Sequence, residues 1–316
     1  MMLGLVQKLR KAGVVGINAR NRGYVMRHNP RSMYRLVDDK VLTKQLASQA
    51  GIAVPELYGL IRSVHDASYF EKIVERKSDF VVKPAHGSGG NGILVIARRR
   101  NRSYYKADGL AVDADSVRHH IANVLGGMYS LGGHPDQAII EYRVKFDPVF
   151  NNLSYNGVPD IRMLVYRGMP TMAMLRLPTR QSNGRANLHQ GAVGVGIDIE
   201  TGHTTLGVLR NRRIHEHPDF DTQLSGWAIP DWENLLLLSA RCYELAPLGY
   251  LGVDIVLDAD LGPLVLELNA RPGLSIQIAN GKGLGHRLDA IDAFDPLPEN
   301  AAQRVELTKT LIKNVS

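Results

Sequence analysis

Glu267 and Asn269 stand two residues apart in the apolar run Leu264-Val265-Leu266-Glu267-Leu268-Asn269-Ala270, shortly after Asp254 in Gly252-Val253-Asp254-Ile255-Val256. Both runs have the β-branched and leucine content and the Gly/Pro boundaries of buried strands. Successive side chains on a strand alternate faces, so Glu267 and Asn269 point one way while Leu266, Leu268 and Ala270 point the other. Asp254 on the adjoining strand can join the first group. Two carboxylates and an amide oxygen, with no His or Cys beside them, are hard donors that suit Mg²⁺ or Mn²⁺ rather than Zn²⁺. The alternative for this stretch is a buried glutamate paired with a nearby guanidinium such as Arg271.

A second stretch carries phosphate chemistry. Asp79-Phe80-Val81-Val82-Lys83-Pro84 reads as a strand, His86-Gly87-Ser88-Gly89-Gly90-Asn91-Gly92 as a flexible loop, and Ile93-Leu94-Val95-Ile96 as a second strand. A dinucleotide-binding turn needs a helix directly after its glycines, and here a β-branched segment follows. The expectation is a hairpin lid over about 79–98. Its bare amides at Gly87, Ser88, Gly89 and Gly90 would fold over phosphates, with Lys83 at the base. A floppy hairpin turn is the alternative, but it leaves a lysine in an apolar strand unexplained.

The elements that must position these groups follow from periodicity. Residues 32–50 have a helical stripe of Met33, Leu36, Val37, Val41, Leu42 and Leu46, with Gly51 as the stop and Asp39-Lys40 inside the helix. Ile52-Ala53-Val54-Pro55 opens an edge strand, because Pro55 has no amide to give a ladder. A short helix is expected over 66–76, a longer one over 112–126, and a strand over 137–144 that contains Glu141-Tyr142. Asp160-Ile161-Arg162-Met163-Leu164-Val165-Tyr166 is a strand with both charges on one face, returning across Gly168 into a hairpin partner over 171–177. The polar segment from Arg180 to Gly191, with Arg185, Asn187 and His189, is either a functional loop or a solvated connection. Helices over 232–245 and 300–313 flank the two runs that open this section.

Composition narrows the function class. Lys and Arg number 38 against 31 Asp and Glu, a formal charge of +7, with basic clusters at 98–102 and 210–213. No aromatic-interleaved stacking surface accompanies those clusters, so no nucleic-acid partner is expected; anionic small substrates or solvated turns account for them. The longest purely aliphatic run, Leu235-Leu236-Leu237-Leu238, falls far short of the roughly 20 residues that span a bilayer. The basic, amphipathic residues 1–11 suggest a surface helix docked on the body. The single cysteine, Cys242, suggests a buried thiol in a reducing cytoplasm.

Taken in order, these motifs over residues 36–274 resemble the ATP-grasp ligases, most closely the RimK-like α-L-glutamate ligase branch, with features shared by sugar-transfer-associated ATP-grasp proteins. The resemblance implies an α+β fold in which two subdomains with antiparallel sheets grip ATP, without a full Rossmann-like domain in front. It divides the chain into a leading segment (1–35), an N-terminal lobe carrying the lid (36–143) and a C-terminal lobe carrying the metal site (144–316). It implies that Lys40, Lys83, Glu141, Tyr142, Asp160, Arg185 and Asn187 contact nucleotide together with the lid. Asp254, Glu267 and Asn269 become ligands of Mg²⁺ or Mn²⁺, and Arg162, Arg185 and Arg271 hold substrate carboxylate and transition-state charge, a structural ion pair being the alternative for each. His189 is a candidate proton acceptor or a plain loop histidine. The implied reaction joins a carboxylate to an amine through an acyl phosphate, with a glutamate-like acid, small amines or a peptide as substrates and the oligomeric state open. A phosphotransferase or a non-catalytic nucleotide-binding protein are the alternatives.

Overall fold

In the computed structural model, residues 2–87, 89–100 and 103–313 are described, without the side chains of Met2, Leu3 and Leu131. Three antiparallel sheets organise them. The first is four-stranded in the order β1-β7-β2-β3, from β1 (Leu57–Ile61), β2 (Phe80–Pro84), β3 (Leu94–Ile96) and β7 (Ala138–Glu141). A small sheet follows β3, made of β4 (Arg98–Arg100), β5 (Ser103–Tyr105) and β6 (Ala111–Val112). The large sheet runs β12-β11-β10-β9-β8-β13-β14, from β8 (Asp160–Tyr166), β9 (Met169–Leu177), β10 (Val193–Ile197), β11 (Thr204–Leu209), β12 (Arg212–Ile214), β13 (Tyr250–Asp258) and β14 (Gly262–Asn269).

Alternation along the large sheet builds two cores. Ile161, Met163, Val165, Leu251, Val253, Ile255 and Leu268 pack with the Trp232–Leu245 helix on one face. Leu164, Met172 and Met174 on the opposite face pack under Ile276 and Leu288 from the Ser275–Asn280 and Gly285–Asp292 helices. The small lobe closes on its own core, where the Ala114–Leu125 helix sets Val117, Ile121 and Val124 against Phe80, Val82 and Ile140.

Three expectations need correction. The 32–50 helix is two, Arg35–Asp38 and Lys40–Gln49, because Asp39 is extended and its Oδ1 accepts from the Val41 and Leu42 amides at 2.9 and 3.1 Å. A side-chain cap outcompetes helix continuation, and it leaves Lys40 at the first position of the new helix. Leu266 does not point with Leu268 and Ala270: it is the extra residue of a bulge, since Asp254 pairs with Glu267 but Ile255 with Val265, and it packs against Val256 and Leu264. The Met2–Lys11 helix forms, but of its stripe Leu5, Val6 and Leu9 are exposed; the chain is tied to the body at the end of the helix, through Lys11 and Gly13 to His286 and Gly285.

The arginine run at 98–100 also has aromatic partners that linear reading missed. Arg98 lies over the Tyr105 ring and Arg99 over Tyr104, across the β4–β5 ladder. Tyr104 is fully buried, so its pairing with Arg99 belongs to the core of the lobe. Arg102 and Ser88 lie outside the described residues.

Candidate active site

Lys40 joins the two lobes. Its Nζ donates to the Gly87 carbonyl at 2.6 Å, at the base of the lid, and stands 3.5 Å from Glu267 Oε1 on β14. The helix cap at Asp39 makes this possible by aiming the first helical residue across the gap. Lys40, Lys44, Val265 and Glu267 wall a cavity of about 10 Å³, room for one water.

The lid is the hairpin expected from sequence, with β2 and β3 antiparallel on either side of it. Its base is fastened by Asp136, a buried carboxylate that accepts from the His86 amide, the Gln137 amide and the Ser130 hydroxyl and contacts His86 Nδ1 at 2.8 Å. Burial pushes the Asp136 carboxyl up, but those donors hold it below the ordinary range. The far end rests on His120, whose Nε2 contacts the Gly92 carbonyl at 2.9 Å, and on the Tyr129 ring. A Cβ at Gly92, where φ is +75°, would come within 2.4 Å of that ring, so only glycine fits. Gly89 and Gly90 reach the polar loop of the large lobe. Asn187 Nδ2 and Arg185 Cδ lie 3.5 and 3.9 Å from the positions of their absent Cβ atoms, and Gln190 Nε2 is 3.5 Å from the Gly89 carbonyl. Asn187 Oδ1 caps the 188–190 turn by accepting from the His189 amide.

Beneath the lid, Lys83 and Glu141 form a buried ion pair at 2.5 Å, and Lys44 completes it at 2.8 Å from the other carboxylate oxygen. Burial alone would raise the Glu141 carboxyl; Lys83 and Lys44 together hold it below the usual range. Lys44, which also donates to the Pro55 carbonyl at 2.6 Å, is pulled by burial down to about 8 despite Glu141. Between about 8 and 10.5 the unfolded chain therefore binds more protons at this residue than the folded one, and stability gains from Lys44 as pH rises through that window. Lys44→Met is expected to remove that gain, read as the difference in urea-unfolding free energy between the two ends of the window. Equal pH slopes in both proteins would contradict it. Tyr142 donates its amide to the Glu56 carbonyl and its hydroxyl to Asp258, across to β13.

The row of charges on the large sheet differs from expectation. Asp254, Arg162 and Glu267 are cross-strand neighbours on β13, β8 and β14. The Asp254 carboxylate is clamped by Arg162 through Nε and, at 2.6 Å, NH2, and by Arg176 NH2 at 2.7 Å. Arg176 in turn grips Asp160 through Nε and, at 2.7 Å, NH2. Both aspartates are almost fully buried. Burial raises the Asp160 carboxyl, with Arg176 opposing and Asp254 adding to the rise; for Asp254 burial is outweighed by Arg162 and Arg176, and it stays ionised.

Three of the expected site residues are therefore paired within this row. Asp254 faces guanidiniums rather than an open ligand position, and Arg162 is committed to Asp254. The β8–β9 hairpin brings Arg176 opposite Asp160, from where its guanidinium reaches both aspartates. Asp160 likewise contacts Arg176. Arg271 is turned outward, over the Tyr34 ring at 5.0 Å and 3.9 Å from Asp38, and so is not the partner of Glu267. Asn269 Oδ1 accepts from the Arg271 amide at 2.8 Å.

Arg176, Lys44 and Asp136 were missed in the sequence. Arg176 is the one charge in an apolar strand, and Lys44 lies one helical turn after Lys40; both signals were present. Asp136 carried none, because the lid residue it fastens, His86, is fifty residues upstream.

Among the described residues no group of three or more His, Cys, Asp or Glu side chains could hold one ion. Glu267 and Asn269 remain on one face with hard oxygens not claimed by a guanidinium, beside Lys40 and the lid amides. That donor set fits a magnesium-bound polyphosphate. No helix of the described residues is long and apolar enough to cross a membrane.

No curated protein matches the chain in sequence. Among solved structures, PsnB, an ATP-grasp ligase captured with a minimal precursor, Mg and ADP, aligns at 19% identity over 84% of this chain and 61% of its own, TM-score 0.46. A RimK-domain ATP-grasp protein from Sphaerobacter thermophilus aligns at 16% identity over 80% of this chain and 68% of its own, TM-score 0.43. D-Alanine–D-alanine ligase from Bacillus anthracis, with ATP, gives 15%, 90%, 68% and 0.44 in the same order. The chain thus spans less than two thirds of PsnB. Residues 19–293 match the family model for sugar-transfer associated ATP-grasp proteins. With most of its length covered by that model, and with paired antiparallel sheets and a glycine lid in place, the chain belongs to the sugar-transfer associated ATP-grasp family.

Proposed function

We propose that the chain is an ATP- and Mg²⁺-dependent carboxylate–amine ligase, acting in the cytoplasm on a glutamate-like acid and a small amine or peptide acceptor. The observation that carries this reading is Lys40, which touches the lid carbonyl of Gly87 and faces Glu267 across the two lobes. Lys40 thus stands between the lid and the large sheet, where a bound polyphosphate would meet all three.

In this reading a carboxylate oxygen attacks the γ-phosphorus of ATP and ADP leaves. The amine nitrogen then attacks the acyl carbon, phosphate leaves, and the amine proton passes to base or solvent. Phosphoryl transfer asks the protein mainly for position and charge. Lys40 parts from Glu267 to meet phosphate, and Lys83, already at the lid base, does the same from Glu141. Glu267 and Asn269 would hold Mg²⁺, which supplies charge neutralisation at the β- and γ-phosphates. The lid, pinned at Asp136 and His120, folds its amides over the phosphates and keeps water from the acyl phosphate. Arg185, across from Gly90, meets the incoming carboxylate. Arg162 and Arg176 act on the site by fixing Asp254 and the strand row under it.

The test is an ADP-release screen of carboxylate–amine pairs with mass spectrometry of the products. ADP release that needs both partners, with an amide accumulating, supports the ligase. A stable phosphorylated product without amine would assign a phosphotransferase instead.

A further inference from the structure

A cavity of about 310 Å³ lies between the β10–β11 end of the large sheet and the Ser275–Asn280 helix. Its floor is apolar, from Ile197, Val208 and Ala279, and its charged walls are Arg213, Lys282 and Arg287 against a single carboxylate, Asp198. Arg287 is the unusual member. It is only 6% exposed, its NH1 donates to the Thr171 carbonyl at 2.8 Å, and among the described residues it forms no salt bridge. Burial lowers its pKa, with Asp198 offsetting only part of that from beyond contact distance. Asp198 is turned to its own loop, where Oδ1 accepts from the Glu200 and Thr201 amides and the Thr201 hydroxyl. Arg213 closes the rim: its NH2 lies 3.3 Å from where a Cβ would stand on Gly281, which has φ of +61°. Arg213 and Lys282 are exposed and likewise form no salt bridge among the described residues.

A guanidinium taken out of water without a carboxylate is costly, and an oxyanion in the adjoining space offsets the cost through paired hydrogen bonds. The volume sits at the lower end of small-molecule sites. The place is separate from the nucleotide cleft: Arg287 is tied to Thr171 near the start of β9, whereas Arg176, near its end, holds Asp160 and Asp254. Five residues of strand put about 17 Å between them.

We propose that this cavity is a second binding site, for a small molecule with a phosphate or carboxylate head and a short apolar body. Arg287 grips the head from inside, Arg213 and Lys282 close over it, and the body lies on Ile197, Val208 and Ala279. The proposal stands whether or not the ligase reading does.

The test uses the full chain with phenyl phosphate and phenylacetate as probes, followed by ligand-observed NMR titration. At least one probe is expected to bind saturably and to stay bound in excess ADP; the probe that binds, or binds more tightly, identifies the head group. The double variant Arg213→Ala with Lys282→Ala, at two exposed positions, is expected to weaken that binding about tenfold or more with an unchanged melting temperature. Arg287→Lys, which keeps the charge and loses the fork, should weaken it too. Failure of both probes to bind, displacement by ADP, or unaltered affinity in the double variant would overturn the proposal. A chain that fails to bind ADP but passes this test keeps the site and loses only the ligase.

Discussion

Glu267→Gln is expected to lower ATP turnover by about 10²–10³ while the protein stays folded. A neutral amide keeps the shape of the side chain but lacks the negative charge that holds a dication against polyphosphate. The fold should not suffer, because Glu267 lies at the cleft edge, its side chain 36% exposed, and its one ion pair, with Lys40, spans 3.5 Å. Pairs at that exposure contribute at most about 1 kcal/mol. Turnover and a thermal melt on the same preparation decide the matter. Near-normal turnover would remove Glu267 from the site, and a collapsed melt would show that it serves the fold instead.

The second large effect falls on stability. Arg176→Leu leaves Asp160 and Asp254 buried near each other with only Arg162 between them, which is expected to cost about 3–5 kcal/mol in urea unfolding. The deficit should depend on pH. Asp160 already has a raised pKa, so the folded chain binds more protons there than the unfolded chain above the ordinary carboxylate range. Without Arg176 the rise is larger, and stability should recover as pH falls through the folded pKa of Asp160. Adding Asp160→Asn should return most of the loss at neutral pH. A loss below about 1 kcal/mol, or one that ignores pH, would mean that the four charges are not coupled as the distances imply.

Asp254 shows where sequence reading stops. Alternation correctly put Asp254, Glu267 and Asn269 on one face, and the hairpin across Gly168 was visible in the chain. Arg176 stood out as the lone charge of its strand, but which residues it would meet did not, because pairing between β8 and β9 is set by the turn geometry, and that register lays Arg176 against Asp160 and Asp254. The lid read well because its glycines have a conformational reason, and the strand–loop–strand order follows from β-branched residues on both sides. Its anchors, Asp136 and His120, come from distant segments with no local signature. The helix break at Asp39 was legible in principle: an aspartate followed by an apolar stripe is a cap, and reading it as one places Lys40 at the cleft. The small sheet at 98–112 was not, since strands of two and three residues give no period to detect.

Lys83 is both the cation at the base of the lid and the partner of Glu141 at 2.5 Å. In the proposed reading, releasing Lys83 to phosphate leaves Glu141 paired with Lys44.

Calorimetric titration of the chain with ADP, with and without Mg²⁺, decides whether the space between the two sheets is a nucleotide site. One saturable site, tightened by Mg²⁺ and weakened about tenfold or more by Lys83→Ala, is the expected result. No binding, or binding indifferent to both the metal and the lysine, would contradict it.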